Sequence, residues 1–118
     1  MIAVLIGAGT VLVAGIGECP LLCSARDLET YAPLVFRDEN ELPFQSYLRR
    51  VLQPWDVVVD VNAGIGAWTV VAARAVGPMG RVLASERSAE RRRLLERNVA
   101  LNRALGARGE VTVFPKGL

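Results

Sequence analysis

Histidine is absent from this chain, and lysine and cysteine are nearly absent. Lys116 is the single lysine beside 13 arginines, and Cys19 and Cys23 are the only thiols. The lack of histidine removes the commonest general base and the commonest zinc ligand. Two cysteines cannot supply the four ligands of a tetrahedral zinc, so we predict no metal site. Free thiols are the simpler interpretation, and a disulfide between the two stays open.

A strong excess of either charge is also missing. The chain carries 14 basic and 12 acidic residues, for a formal net charge of +2. Its longest basic run, residues 91–93, contains no aromatic residue and lies near Glu90 and Glu96, so we interpret it as a solvated helix face. The composition therefore predicts no nucleic-acid partner.

The apolar amino terminus is too short to span a bilayer. Residues 1–16 are uncharged, contain three glycines and follow no basic segment. A membrane span needs about 20 apolar residues, and a secretory signal begins with a basic region. We predict one or two buried strands here, residues 2–6 and 10–14, in a cytoplasmic protein. A membrane-associated or signal segment and a disordered tail stay alternatives for residues 1–16.

The amino-acid composition changes after this apolar segment. Residues 18–40 are mixed and polar with two prolines, which predicts a connector with little regular structure. Residues 1–35 are therefore assigned to an apolar segment and connector, and residues 36–118 to a ligand-binding domain. That domain opens with a helix at residues 43–52, predicted from the spacing of its apolar side chains: Phe44, Tyr47, Leu48, Val51 and Leu52.

Residues 57–66 carry the clearest chemistry, with the sequence Val-Val-Val-Asp-Val-Asn-Ala-Gly-Ile-Gly. Three consecutive β-branched residues predict a short buried strand, and Gly-x-Gly then turns the backbone sharply into a helix. Asp60 lies near the carboxyl end of that strand. In nucleotide-type folds a ligand binds above such a turn.

The class of ligand follows from Asp60 and Thr69. A dinucleotide-binding loop has a third glycine where this chain has Thr69. A carboxylate beside the loop repels a pyrophosphate but attracts an ammonium or sulfonium group. S-adenosylmethionine carries both cationic groups, so we predict it as the cofactor.

Helix and strand signals alternate to the end of the chain. A helix at residues 67–76 stops at Gly77 and Pro78, and a strand follows at residues 81–86. A longer helix at residues 88–105, capped by Ser88, precedes a third strand at residues 111–114. The long helix has an apolar stripe formed by Leu94, Leu95, Val99, Leu101 and Leu105.

Four segments between residues 60 and 102 match a known sequence pattern in order and spacing. They are residues 60–66 (DVNAGIG), 77–82 (GPMGRV), Glu86 and residues 95–102 (LERNVALN). The FkbM-type methyltransferases of the seven-strand S-adenosylmethionine-dependent class typically show Asp-x-Gly-Ala-Asn-x-Gly, Gly-x-x-Gly-x-Val, an acid ending the second strand, and Leu-x-x-Asn-x-x-x-Asn. Residues 36–118 resemble that family.

The resemblance implies a cofactor site at the carboxyl edge of the sheet. Glu86 would accept hydrogen bonds from the ribose hydroxyls, beside the acid of the first strand. Asn62 and Gly64 exchange the family's glycine and asparagine, and Arg87 replaces a proline, adding a charge at the ribose rim. Asparagine tolerates left-handed backbone angles, so the turn is still expected, with its side chain near the ligand. The predicted site residues are Asp60, Asn62, Ala63, Gly64, Gly66, Glu86 and Arg87.

The resemblance also implies a fold and a reaction. The expected class is α/β, a partial Rossmann-like three-layer sandwich of the seven-strand methyltransferase type, truncated after the third strand. Complete domains of that class usually exceed ~150 residues. The implied reaction is methyl transfer to a hydroxyl of a small molecule or sugar. The acceptor half of the domain is missing, so its catalytic residues stay unknown and its activity stays open.

Two alternative functions remain open. Another methyltransferase of the same fold, of isoaspartyl or transfer-RNA type, has similar motifs, and a non-catalytic remnant or interaction module keeps the fold without chemistry.

The strand at residues 57–61 has one unpaired side in such a fragment. We expect residues 2–6 and 10–14, or a second copy of the chain in a homodimer, to cover that edge.

Overall fold

The computed structural model describes residues 2–14, 19–35 and 43–116. Its strands form two three-stranded sheets, one antiparallel and one parallel. This alternation of strands and helices is a partial Rossmann-like α/β fold, as predicted.

The antiparallel sheet is formed by β1 (Ile2–Gly7), β2 (Thr10–Ala14) and β3 (Leu21–Ser24), in that order. The turn between β1 and β2 consists of Ala8 and Gly9, whose φ angles are 50° and 74°. Positive φ at both central residues matches the twist of a tight hairpin. The two predicted amino-terminal strands are confirmed.

Only one of these strands is buried, which agrees with the prediction of one or two buried strands. Val11 and Val13 of β2 are buried, because β2 is the central strand and packs against the helices. β1 is an edge strand, and its large side chains are exposed at Val4, Leu5 and Ile6.

The predicted connector at residues 18–40 contains regular structure in its described part. β3 is followed by one 3₁₀ turn, Ala25–Asp27, and by α1 (Leu28–Val35). Ser24 caps the turn, since its Oγ accepts from the Arg26 backbone N–H at 3.3 Å. The expectation of little regular structure here is wrong, because β3 forms by pairing with β2, which local composition does not reveal. Residues 36–40 lie outside the described part.

α2 (Pro43–Val51) confirms the predicted helix, but its apolar face is not fully covered. Leu48 packs against the core, whereas Tyr47 is 58% exposed and Val51 is 42% exposed. The side chain of Phe44 lies outside the described part. α2 contacts α3 along one side only, which leaves part of its apolar face open.

The parallel sheet has the order β4 (Val57–Val61), β5 (Arg81–Ser85) and β6 (Glu110–Phe114). α3 (Ala67–Val76) connects β4 to β5, and α4 (Ala89–Ala104) connects β5 to β6. All five elements were predicted with bounds correct to within one residue.

α3 packs against both sheets, which produces three layers. One apolar cluster joins α3 to β2 and β3 through Val13, Leu21, Cys23, Val70 and Val71. A second cluster joins α3 to β4 and β5 through Val58, Ala73, Val76 and Val82. The helical layer is therefore shared by the two sheets.

β4 is an edge strand with one open face. Val58 and Asp60 turn toward α3, whereas Val57, Val59 and Val61 are 62%, 53% and 56% exposed. The predicted buried strand is thus buried on one face only. β1 and β2 do not cover this edge, because they pair with each other and with β3. That part of the prediction is wrong, and dimerisation through the edge stays a prediction.

The described ranges also bear on membranes and metals. None of their helices combines the length and apolar character needed to cross a bilayer. These ranges contain no cluster of three or more side chains able to hold a metal. Cys19 and Cys23 are both buried as thiols, and burial, with a smaller effect of the Asp27 carboxylate, raises the pKa of Cys23.

Candidate functional site

Three left-handed backbone positions shape the loop between β4 and α3. Asn62, Gly64 and Gly66 have φ angles of 59°, 62° and 95°. The Ala63 N–H donates to the Ser85 carbonyl at 2.8 Å and fastens the loop to the end of β5. The predicted loop residues therefore lie together at the carboxyl edge of the parallel sheet.

The exchange of glycine and asparagine relative to the family pattern has a local explanation. Positions 62 and 64 have nearly the same φ, in the region that glycine and asparagine adopt most readily. Either residue type therefore fits either position. A Cβ at Gly64 would lie 3.5 Å from the Tyr31 hydroxyl, an ordinary contact distance.

We expect the double exchange Asn62→Gly with Gly64→Asn to change the free energy of unfolding by less than about 1 kcal/mol. S-adenosylmethionine binding should tighten a few-fold, because position 62, which is exposed, no longer places a side chain beside the ligand. Urea unfolding and calorimetric titration measure the two quantities. A loss of about tenfold in affinity, ~1.4 kcal/mol, would show that the ligand requires the present order.

Gly66 is required by a close contact as well as by its backbone angle. A Cβ here would lie 2.7 Å from Cδ1 of Leu95, a fully buried side chain of α4. Gly77, after α3, also has a positive φ of 66°, but nothing lies within 4 Å of its Cβ position. Gly77 is therefore required by its backbone angles alone, and Gly66 by its backbone angles and by the contact with Leu95.

We expect Gly66→Ala to lower the free energy of unfolding by about 3 kcal/mol, since left-handed strain and overpacking against Leu95 each cost ~1–2 kcal/mol. Gly77→Ala meets no neighbouring atom, but its backbone (φ 66°, ψ −173°) lies in a region that essentially only glycine adopts, so this strain alone should cost about 1–3 kcal/mol. Urea-unfolding curves of both variants measure the losses. A loss in Gly66→Ala no larger than the ~1–2 kcal/mol of left-handed strain would mean that Leu95 moves aside at no cost.

Asp60 is half-buried on the face of β4 that turns toward α3. Its Oδ2 accepts a hydrogen bond from the hydroxyl of Thr69 in the first turn of α3. Burial raises the pKa of Asp60, and the Thr69 hydrogen bond lowers it by a smaller amount. Within the described ranges no cationic side chain pairs with this carboxylate. With Trp68 it lines an open groove of about 170 Å³.

Glu86 directly follows β5, and both of its carboxylate oxygens bind backbone groups. Oε1 accepts from the Gly64 N–H at 3.0 Å, and Oε2 accepts from the Ser88 N–H at 2.8 Å. The residue is 6% exposed, and the Arg91 Nε lies 3.6 Å from Oε1. Glu86 thus joins the glycine loop to the start of α4. Its contact with a ribose stays a prediction, for which each oxygen has a second lone pair.

Arg87 is exposed at the rim of this edge. Its carbonyl accepts from Nη1 of Arg92 at 3.2 Å, and the Glu86 carbonyl accepts from the same nitrogen at 3.0 Å. Arg92 therefore binds the backbone that follows β5. Arg92 itself is half-buried. The interpretation of residues 91–93 as a solvated face is correct for the exposed Arg91 and Arg93 and wrong for Arg92.

Tyr31 is a residue of this site that the sequence analysis missed. It lies on α1, inside the predicted connector, and its hydroxyl approaches Gly64 of the loop. Burial raises the pKa of Tyr31, and the carboxylate of Asp27 raises it further. No motif surrounds Tyr31 in the sequence, so only the packing of α1 against the rest of the chain reveals it.

Two fully buried asparagines tie α4 to the antiparallel sheet and to the loop. Asn98 Oδ1 accepts from the Leu22 N–H at 2.6 Å, and its Nδ2 donates to the carbonyls of Leu22 and Ile65 at 2.9 and 2.8 Å. Asn102 Nδ2 donates to the Pro20 carbonyl at 2.9 Å. Both side chains therefore connect α4 to backbone groups outside the helix.

Solved structures that share this fold include an AdoMet complex and a methyltransferase. M. jannaschii TYW2, solved in complex with AdoMet, has a TM-score of 0.65 at 19% identity over 94% of this chain and 45% of that chain. A SAM-dependent O-methyltransferase from Thermotoga maritima has a TM-score of 0.54 at 30% identity over 82% of this chain and 36% of that chain. The fold is that of S-adenosylmethionine-dependent methyltransferases.

The antiparallel sheet takes part in this match to the methyltransferase fold. The predicted domain, residues 36–118, comprises 83 of the 118 residues, so an alignment over 94% of the chain extends into the amino-terminal sheet. The division of the chain after residue 35 stays a prediction.

The chain spans less than half the length of these proteins. Ribosomal RNA large subunit methyltransferase E of Marinobacter nauticus is 49% identical over 37 residues, which are 31% of this chain and 18% of that protein. No protein-family model matches the chain. These comparisons establish the fold and leave the FkbM type to the proposal below.

Proposed function

We propose that the chain binds S-adenosylmethionine at the carboxyl edge of the parallel sheet, as the cofactor-binding part of an FkbM-like methyltransferase. The observation that carries the proposal is a pair of carboxylates at the two sides of the glycine loop, Asp60 on β4 and Glu86 directly after the adjacent strand β5. Structures of this fold have been solved with AdoMet and with MeSAdo. The cytoplasmic location remains part of the proposal.

The two carboxylates have different tasks in this proposal. Asp60 is partly desolvated and lacks a cationic partner in the described chain, so it favours the ammonium end of the ligand. Glu86 already fixes the loop through the Gly64 N–H, and its remaining lone pairs suit ribose hydroxyls. The same side chain therefore shapes the loop and contacts the ligand, with Arg87 at the rim.

When bound, S-adenosylmethionine supplies an electrophilic methyl group on its sulfonium sulfur. The residues of this chain contribute alignment and exclusion of water, which are the main needs of a methyl transfer. We propose a hydroxyl oxygen of a small molecule or sugar as the acceptor. The 30% identity to the O-methyltransferase from Thermotoga maritima supports oxygen as the acceptor atom.

A second candidate is an RNA acceptor. It is favoured by the 49% identity over 37 residues to a ribosomal RNA methyltransferase. Both candidates share the cofactor site and differ in the acceptor. A non-catalytic remnant would bind S-adenosylmethionine without methyl transfer to either acceptor. Binding of S-adenosylmethionine is therefore common to all three possibilities, and methyl transfer distinguishes them.

We expect Glu86→Gln to weaken S-adenosylmethionine binding by about tenfold, ~1.4 kcal/mol. The amide keeps one acceptor oxygen but turns a donor toward one of the two backbone N–H groups, at Gly64 or Ser88, and toward the ribose. Equilibrium dialysis with labelled ligand measures the change. Glu110→Gln is the control, because Glu110 is exposed at the other end of the sheet. Equal affinities in all three proteins would remove Glu86 from the site.

A further inference from the structure

A groove between α4 and the antiparallel sheet lies outside the proposed cofactor site. Its volume is about 570 Å³, and it is open to solvent. The turn between β1 and β2 and residues 24–26 form one wall, and α4 forms the other. The Ala25 N–H donates to the Gly9 carbonyl at 2.7 Å, which fixes the parts of the first wall to each other. We call it the arginine groove, after Arg26, Arg93 and Arg97.

The charges in the arginine groove do not balance. Arg26 pairs with Glu90 across the groove at 2.8 Å, and both side chains are largely exposed. Arg93 and Arg97 have neither a hydrogen bond nor an ion pair within residues 2–14, 19–35 and 43–116. Three guanidinium groups therefore face a single carboxylate, and two of them are available to an anion.

Helical spacing directs these groups to the same side of α4. Glu90, Arg93, Leu94 and Arg97 follow the i, i+3, i+4, i+7 pattern of one helix face. Leu94 packs against the first apolar cluster, which fixes the rotation of the helix. Arg93 and Arg97 lie one turn apart and disfavour each other by about 0.2–0.5 kcal/mol, a repulsion that an anion between them relieves.

We propose that the arginine groove binds the phosphodiester backbone of a nucleic-acid strand. Arginine forks match phosphate oxygens in bidentate geometry, and the two unpaired arginines are about 6 Å apart along the helix axis. An open groove receives a strand that continues past both ends, whereas a closed pocket would select a small anion. The proposal does not rest on the proposed methyl transfer, because binding is measured without S-adenosylmethionine.

The lack of a long contiguous basic run predicts no nucleic-acid partner. The arginine groove is instead assembled from separate segments, with Arg26 from the 3₁₀ turn after β3 and Arg93 and Arg97 from α4. α4 also borders the proposed cofactor site through Arg91, whose Nε lies 3.6 Å from Glu86. The first turn of α4 is therefore shared by the groove, through Glu90, and by that site, through Arg91.

Fluorescence anisotropy of the full chain with a labelled 12-nucleotide uridine RNA, and with a thymidine DNA of equal length, tests this proposal. The groove variant is Arg93→Gln with Arg97→Gln. The control variant is Arg81→Gln with Arg108→Gln, which removes the same charge from exposed positions outside the groove. Circular dichroism verifies that both variants fold.

We expect the groove variant to bind at least about tenfold more weakly than the wild type, with a salt-dependence slope smaller by about 1–2. The control variant should bind within about twofold of the wild type. Equal RNA and DNA binding would assign the groove to the shared phosphodiester backbone, and tighter RNA binding would identify an RNA strand. Equal losses in the two variants, or equal displacement by inorganic phosphate or a polyglutamate peptide, would overturn the proposal.

Discussion

Replacement of Asn98 by alanine is expected to lower the free energy of unfolding by about 3–5 kcal/mol, a large share of the 5–15 kcal/mol typical of a domain. The change removes three hydrogen bonds and leaves the Leu22 N–H and the carbonyls of Leu22 and Ile65 buried without that partner. Each such group costs about 1–3 kcal/mol when water does not replace the lost bond. Urea unfolding measures the loss.

The control for this experiment is Glu96→Ala. Glu96 is exposed on the same helix, so its replacement should change the free energy of unfolding by no more than about 0.5 kcal/mol. Hydrogen exchange adds a local readout, because the Leu22 amide should exchange much faster in Asn98→Ala. A loss below about 1 kcal/mol would show that the antiparallel sheet does not depend on this contact with α4.

Asp60→Asn is expected to weaken S-adenosylmethionine binding by at least about tenfold while making the protein more stable. The variant loses the negative charge that attracts the ammonium end of the ligand. It also loses the cost of burying that charge, which is the main cause of the raised pKa of Asp60. Calorimetric titration measures the affinity, and thermal unfolding measures the stability.

In the wild type, a rise in pH should likewise strengthen S-adenosylmethionine binding and lower the stability of the fold. Because the pKa of Asp60 is higher in the folded than in the unfolded protein, its contribution to stability falls as pH rises from the unfolded value through the folded one. Affinity for S-adenosylmethionine should rise over the same interval, as the carboxylate forms. Asp56→Asn is the matched control, because Asp56 lies just before β4, at the end of the strand opposite the glycine loop, and its affinity should equal that of the wild type. Equal affinities in Asp60→Asn and the wild type would contradict the assigned role.

The parallel half of the fold was predictable because each of its elements carries a local signal. Ser88 caps α4 with a side-chain hydrogen bond to the Arg91 N–H, Gly77 ends α3, and the left-handed angles at Gly64 and Gly66 fit the predicted turn. Such signals act within a few residues of the sequence. They therefore fix the element bounds independently of the rest of the chain.

The parts that the sequence did not predict depend on contacts between distant segments. β3 forms because it pairs with β2, and Tyr31 reaches the loop because α1 packs against the rest of the chain. The exposed face of β4 likewise depends on contacts between distant segments. A run of valines predicts a strand, but only the arrangement of layers determines which of its faces is covered.

Nuclear magnetic resonance of the ¹⁵N-labelled chain during titration with S-adenosylmethionine tests the central claim most directly. The proposal predicts saturable shifts at the amides of Gly64, Gly66 and Glu86, and little response when a nicotinamide dinucleotide is added instead. An absence of saturable shifts at these amides, or a stronger response to the dinucleotide, would contradict the assignment of this edge to S-adenosylmethionine.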